Sequence, residues 1–270
     1  MPTLTISTIQ TLLHWESKAA NLQMLEEKIN SLFQKTEIVV LPEMFSTGFT
    51  MKPELFAETM EGPTVEWMKR LSASNRVILT GSLVIKEGEK YFNRLIWVMP
   101  NGEIGYYDKR HLFAYGEEDK HYTAGNKRLI ASVKGWKINL QVCYDLRFPV
   151  WARQTPMDKN ESAYEYDVLI YVANWPDRRS HAWKTLLCAR AIENQCYVVG
   201  VNRVGKDGND IYHSGNSLVI DPLGEVLYHM ADEEDIFTIT LDREHLQSVR
   251  EKFPFLKDAD GFMIINDIDN

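Results

Sequence analysis

Apolar residues in this chain fall into two kinds of pattern, short strand-like runs and stripes at helical spacing, and the two alternate from end to end. Residues 4–9 read as a strand. Residues 16–34 read as a helix, with Ala19, Leu22, Leu25, Ile29 and Leu32 on one stripe and charges opposite. A short apolar strand at 38–41 ends at Pro42-Glu43. Gly62-Pro63-Thr64 opens a second helix, with proline at a tolerated early position and Val65, Met68 and Leu71 facing inward. Strands then crowd together at 77–79, 83–85, 95–99 and 106–108, the last two joined across Asn101-Gly102, both of which tolerate positive φ. The theme repeats: strands at 138–142 and 168–173 with a helix near 150–154 between them, a helix over 182–194 and a strand over 197–201. A run of strands at 217–220, 226–229 and 237–241 turns at Pro222-Leu223-Gly224. Asp242 caps a last helix reaching to about residue 253, and residues 258–270 read as an extended arm.

No linker or low-complexity segment interrupts this order, so residues 1–270 read as a single domain. Two sheets with helices outside them is the economical way to bury so many strands and amphipathic helices. The near-duplicate order of the two halves suggests a pseudo-symmetric sandwich, although periodicity alone does not separate that from a doubly wound sheet.

A net charge of −8 changes the picture by arguing against a nucleic-acid partner. The one basic cluster, Asp177-Arg178-Arg179, is too short to track a phosphate backbone. The N-terminus lacks a basic region followed by an apolar core, and no apolar run approaches the roughly 18 residues that span a bilayer, so no membrane partner is expected. Three cysteines, Cys143, Cys188 and Cys196, are too few for a disulfide scaffold, and a reducing cytoplasm is the simplest home.

The candidate chemistry lies at strand ends. Glu43, Lys109 and Cys143 each stand just past an apolar strand. If those ends share one rim, a carboxylate, an ammonium and a thiol converge on a site suited to acyl chemistry. The carboxylate takes the thiol proton, while the ammonium and the Tyr144 backbone N–H hold an oxyanion. Each residue also has an ordinary reading: Glu43 in a surface salt bridge, Lys109 as a solvated turn charge, Cys143 as an inert buried thiol.

The local words resemble a family. Leu41-Pro42-Glu43-Met44-Phe45, Tyr107-Asp108-Lys109-Arg110-His111-Leu112-Phe113 and Val142-Cys143-Tyr144-Asp145-Leu146-Arg147-Phe148-Pro149 are similar to the three signature blocks of the nitrilase (carbon–nitrogen hydrolase) superfamily. Ala173-Asn174-Trp175-Pro176 through Asn194, and Gly215-Asn216-Ser217 through Glu225, resemble its later blocks, so the likeness covers essentially the whole chain. The resemblance implies a four-layer αββα sandwich of two mixed sheets and a Glu43, Lys109, Cys143 triad. It also implies dimerisation and no metal or organic cofactor. A second glutamate is implied on the loop before Gly125; spacing favours Glu118 over Glu117, with a role in orienting the lysine and the bound amide.

Within the superfamily the chain looks most like the ω-amidases, which hydrolyse small 2-oxo acid amides such as α-ketoglutaramate through a thioester. Such a substrate carries a carboxylate, and Arg147 is the nearest cation by sequence, though it could equally anchor the cysteine turn. Phe113, Tyr115 and Trp175 are candidates to line the pocket. An N-carbamoyl amino-acid hydrolase or a nitrilase would share the triad, and a redox-sensing thiol protein is the alternative of another class. A metal site from His111, His121, His181 and Cys143 lacks ligand spacing, and Lys206-Asp207-Gly208-Asn209-Asp210 reads as a hairpin tip rather than a calcium loop. Trp183, Leu186, Leu187 and Arg190, with the helix near 150–154, form a candidate dimer face, or else ordinary core packing within one chain.

Overall fold

The computed structural model describes residues 3–154 and 164–265. In chain order it contains β1 (Leu4–Gln10), α1 (Lys18–Asn30), β2 (Ile38–Val40), α2 (Pro53–Phe56), α3 (Pro63–Asn75), β3 (Ile78–Glu87), β4 (Lys90–Val98) and β5 (Ile104–Asp108). There follow α4 (Glu118–His121), β6 (Leu129–Val133), β7 (Trp136–Val142), α5 (Pro149–Ala152), β8 (Val168–Ala173), α6 (Ser180–Asn194) and β9 (Tyr197–Asn202). Last come β10 (Val204–Lys206), β11 (Tyr212–Ile220), β12 (Val226–Ala231), β13 (Asp235–Leu241) and α7 (Arg243–Lys252).

Two mixed sheets result, ordered β13-β1-β2-β3-β4-β5 and β10-β11-β9-β8-β7-β6, with β12 paired to β11. Each has three parallel strands at its centre, β1, β2 and β3 in one and β7, β8 and β9 in the other, flanked by antiparallel neighbours. The repeat read in the sequence is therefore a repeat of topology.

The layers follow from period-two alternation. In the first sheet Leu4, Ile6, Ile38, Val40, Ile78, Leu95 and Trp97 join the core shared with the second sheet. Their alternates Ile9, Val39, Leu79, Leu83, Ile96 and Val98 pack with Leu25 and Ile29 of α1 and Val65, Met68 and Leu71 of α3. On the second sheet α6 lies so close that a Cβ on Gly200 would meet Leu187 at 2.5 Å. This is the expected αββα sandwich.

Several details differ from the sequence reading. The strands expected at 77–79 and 83–85 are one strand, β3; Gly81 within it is a close-approach residue, since a Cβ there would meet Phe45 at 2.8 Å and Leu41 at 2.9 Å. At the Asn101-Gly102 turn only Gly102 takes positive φ, +87°. β13 does not continue the β11–β12 run but crosses to pair antiparallel with β1. The fully buried residues of α1 are Asn21, Leu25 and Ile29; Leu22, and Leu32 beyond the helix end, pack half-buried against the same core, while Ala19 is exposed. Asn21 is buried because its amide is saturated by the backbone of His14 and Ser46. Trp183, Leu187 and Arg190 of the suggested dimer face are buried within the chain, where α6 packs against β9 and β11, while Leu186 is half-buried and Val150 is exposed. Of the proposed arm, residues 259–265 have no regular structure and 266–270 lie outside the described residues. Asp242 caps α7 as expected, accepting from the N–H groups of Glu244 and His245. No helix among the described residues is long and apolar enough to cross a membrane.

Candidate active site

Glu43, Lys109 and Cys143 follow β2, β5 and β7 and meet at one rim between the sheets. Lys109 Nζ lies 2.9 Å from Glu43 Oε1 and 2.8 Å from Glu118 Oε2, with all three side chains sealed from solvent. The strand end is held by backbone: Lys109 N–H donates to Asn93 O, and Gly125 N–H donates to Lys109 O. Only glycine fits at 125, because a Cβ would lie 2.2 Å from Asp108 O. Glu118 Oε2 also accepts from the Phe113 N–H at 2.7 Å. Glu117, the neighbouring candidate, is exposed and paired with Lys120.

Cys143 opens a 3-10 turn, Cys143–Arg147, with φ of +45°, a left-handed conformation that few non-glycine residues adopt. Asp145 enforces it. Its Oδ2 accepts from the Val142 N–H at 3.0 Å and from Tyr107 OH at 2.8 Å, and its Oδ1 accepts from the His111 N–H at 2.9 Å and meets His111 Nδ1 at 2.8 Å. One carboxylate thus ties the cysteine turn to the segment that carries Lys109. The turn leaves the Tyr144 N–H in its first residues, where helical N–H groups lack a partner within the helix.

The electrostatics decide the resting proton positions. Burial pushes the Cys143 thiol up, the negative Glu43 carboxylate pushes it further, and Lys109 opposes both without prevailing. Cys143 therefore rests as a thiol within hydrogen-bonding reach of Glu43. Burial opposes the charge on Lys109, but the Glu118 and Glu43 carboxylates together raise its affinity for a proton. Glu118 is raised by burial and by Glu43, with Lys109 acting against them.

Several buried side chains that complete this cluster were not singled out from the sequence. Asn93 on β4 donates to Glu43 at 2.8 Å and to Glu118 at 3.0 Å. Asn174, just past β8, gives its N–H to Glu43 Oε2 at 2.8 Å and its side-chain amide to the Glu43 carbonyl. The only signal for Asn174 was its place in the Ala-Asn-Trp-Pro block, and Asp145 likewise lay within a quoted block without a role.

A cavity of about 210 Å³ opens onto Lys109, Cys143, Tyr144 and Asn174. Phe113, Tyr115 and Trp175 line it as expected, joined by Phe49. Trp175 is pinned by Asn202 Oδ1 at its N–H and by its own indole N–H to Arg179 O. Arg147 lines the cavity with its guanidinium 5.1 Å from the Trp175 ring centroid, and Arg178 and Arg179 join it. The hairpin tip between β10 and β11 supplies Asp207 and Asn209, and below it His213 is pushed down to about 4 by burial and the nearby charge of Arg203. His111 is committed to Asp145 and stacked on Phe148, and His121 and His181 are exposed. Among the described residues, no group of three His, Cys, Asp or Glu gathers as a cation would need. Cys196 is core, and Cys188 packs against the core half-buried.

Residues 4–251 match the carbon-nitrogen hydrolase family model. The chain is 41% identical to the Omega-amidase YafV of Yersinia enterocolitica, over 98% of this chain and 100% of that protein. It is 32% identical to the 2-oxoglutaramate amidase of Bacillus subtilis, over 94% of this chain and 96% of that protein. Among solved structures, a CN-hydrolase superfamily protein from Xanthomonas campestris, with an arsenic adduct in its active site, superposes with a TM-score of 0.95 at 42% identity. That match covers 98% of this chain and 100% of the other.

Proposed function

The chain belongs to the carbon–nitrogen hydrolase family, and from that premise we propose that it is a cysteine-dependent ω-amidase, cleaving the terminal amide of small 2-oxo dicarboxylic acid monoamides. The observation that carries the reading is one ammonium, Lys109, held between Glu43 and Glu118 beside a thiol on a strained turn.

The chemistry follows from the resting proton positions. The substrate carbonyl enters the cavity, and the Cys143 sulfur attacks it as its proton passes to Glu43. The oxyanion is held by the Lys109 ammonium and the Tyr144 N–H, which are in place before charge develops. The C–N bond breaks, Glu43 returns the proton to nitrogen, and ammonia leaves a thioester on Cys143. Water then attacks the thioester, losing a proton to Glu43; the acid departs and the proton returns to sulfur. Glu118 and Asn93 position Lys109 and Glu43 throughout.

The choice of a carboxylate-bearing amide rests on the two amidase relatives and on guanidiniums in the cavity wall, Arg147 among them; Trp175, Phe113 and Tyr115 supply its apolar side. A homodimer in a reducing cytoplasm completes the proposal, the second part supported by three free thiols. Ammonia release from α-ketoglutaramate, a carbamoyl amino acid and an aliphatic nitrile tests it. Preference for the first supports the reading; preference for either other substrate contradicts it.

A further inference from the structure

Three guanidiniums line the cavity, and none of Arg147, Arg178 and Arg179 has a carboxylate partner among the described residues. They differ in setting. Arg147 and Arg178 are exposed, whereas Arg179 is half-buried with its guanidinium 5.0 Å from the Phe113 ring centroid. Phe113 is the residue whose N–H holds Glu118, so Arg179 packs against the structure that sets Lys109.

The backbone of Arg179 is fixed as well. Its N–H donates to Pro176 O at 3.0 Å, and its carbonyl accepts the Trp175 indole N–H at 2.8 Å. It also caps α6, whose N-terminal N–H groups add to the positive potential there. The carboxylate of Asp207 lines the same cavity but accepts from the N–H groups of Asn209 and Ile211 in its own loop. A partly desolvated cation with no counter-ion is less favourable than one in water, and an arriving anion relieves it. Burial and the charge of Arg178 both push Arg179 below its usual range.

We propose that Arg179 is the specificity-determining residue of this site, binding the substrate carboxylate while the amide lies at Cys143. The proposal rests on the amidase reading above. Arg147, over Trp175 and open to solvent, serves as a secondary contact.

The test compares Arg179→Gln, Arg179→Lys and Arg147→Gln with the unaltered enzyme. Ammonia release is measured from a 2-oxo dicarboxylic acid monoamide and from pentanamide, a neutral amide. In Arg179→Gln the ratio of kcat/KM for the acid amide to that for pentanamide is expected to fall on the order of 100-fold, mainly through KM. Arg179→Lys, which keeps the charge but loses the fork, should show a fall of about 10-fold, and decides the matter if the glutamine variant does not fold. A ratio within about threefold of the unaltered enzyme overturns the assignment even if both activities drop, because a structural defect lowers the two together. An unaltered enzyme that hydrolyses pentanamide but not the acid amide overturns the substrate reading and Arg179 with it. One that favours the acid amide, with an unchanged ratio in the variants, overturns Arg179 alone.

Discussion

Lys109 and Glu118 form a doubly contacted ion pair out of reach of solvent, with Nζ 2.8 Å from Oε2 and 3.1 Å from Oε1. A buried ammonium is tolerated only where charge and hydrogen bonds compensate its lost hydration. Here Glu43 supplies a third contact, and one cation sits between two carboxylates that Asn93 bridges.

Glu118→Gln keeps the shape and removes the charge. We expect kcat to fall by about 100- to 1000-fold in a folded protein, as Lys109 loses its orientation toward the oxyanion. Glu118→Ala should in addition cost roughly 3–5 kcal/mol in chemical denaturation, since it breaks a buried pair from one side. Glu117→Gln, on the exposed neighbour, should leave both measurements unchanged.

Asn93→Leu fills the same space without donors. Glu43 and Glu118 each lose a hydrogen bond, and the loss to charged acceptors amounts to about 1.5–3 kcal/mol apiece. A lowered denaturation midpoint together with a fall in kcat is expected.

Asp145→Ala leaves the Tyr107 hydroxyl and the Val142 and His111 N–H groups without their acceptor. Each such buried donor costs about 1–3 kcal/mol. The left-handed Cys143 loses its anchor as well, so alkylation of Cys143 by iodoacetamide should change in rate along with the loss of stability.

The raised Cys143 and Glu118 set the pH dependence. A thiol raised above its ordinary value near 8.5 gains little thiolate as pH climbs through that range, so kcat/KM should not rise there. On the acid side, a carboxylate with a raised affinity for protons is neutralised earlier as pH falls. The acid limb should therefore have its midpoint above the ordinary carboxylate value of about 4.3. A profile that climbs through pH ~8.5 contradicts the resting thiol.

What the sequence reveals and what it hides have physical causes. Glu43, Lys109 and Cys143 are legible because each polar residue ends an apolar strand, and strand ends on one rim are where loops converge. Asn93 is invisible because it is one polar residue in a strand whose apolar run starts only at Leu95; its burial arises when the loops carrying Glu43 and Glu118 fold over it. Arg179 hides in the short Asp177-Arg178-Arg179 cluster, where nothing in the sequence sets it apart from Arg178 until Phe113 folds against it. The crossing of β13 to the first sheet is equally hidden, since alternation says which face a residue occupies and not which sheet receives the strand. β6 escapes notice as an edge strand whose alternate residues are exposed and only half-buried.

The central claim is that Cys143 carries the acyl group. Its most direct test is ammonia release by Cys143→Ala, with folding verified by circular dichroism and a thermal midpoint near that of the unaltered enzyme. Removing the nucleophile should lower turnover by roughly 10⁴-fold or more while the fold persists. A folded Cys143→Ala protein that still releases ammonia at a rate comparable to the unaltered enzyme would contradict the thioester route altogether.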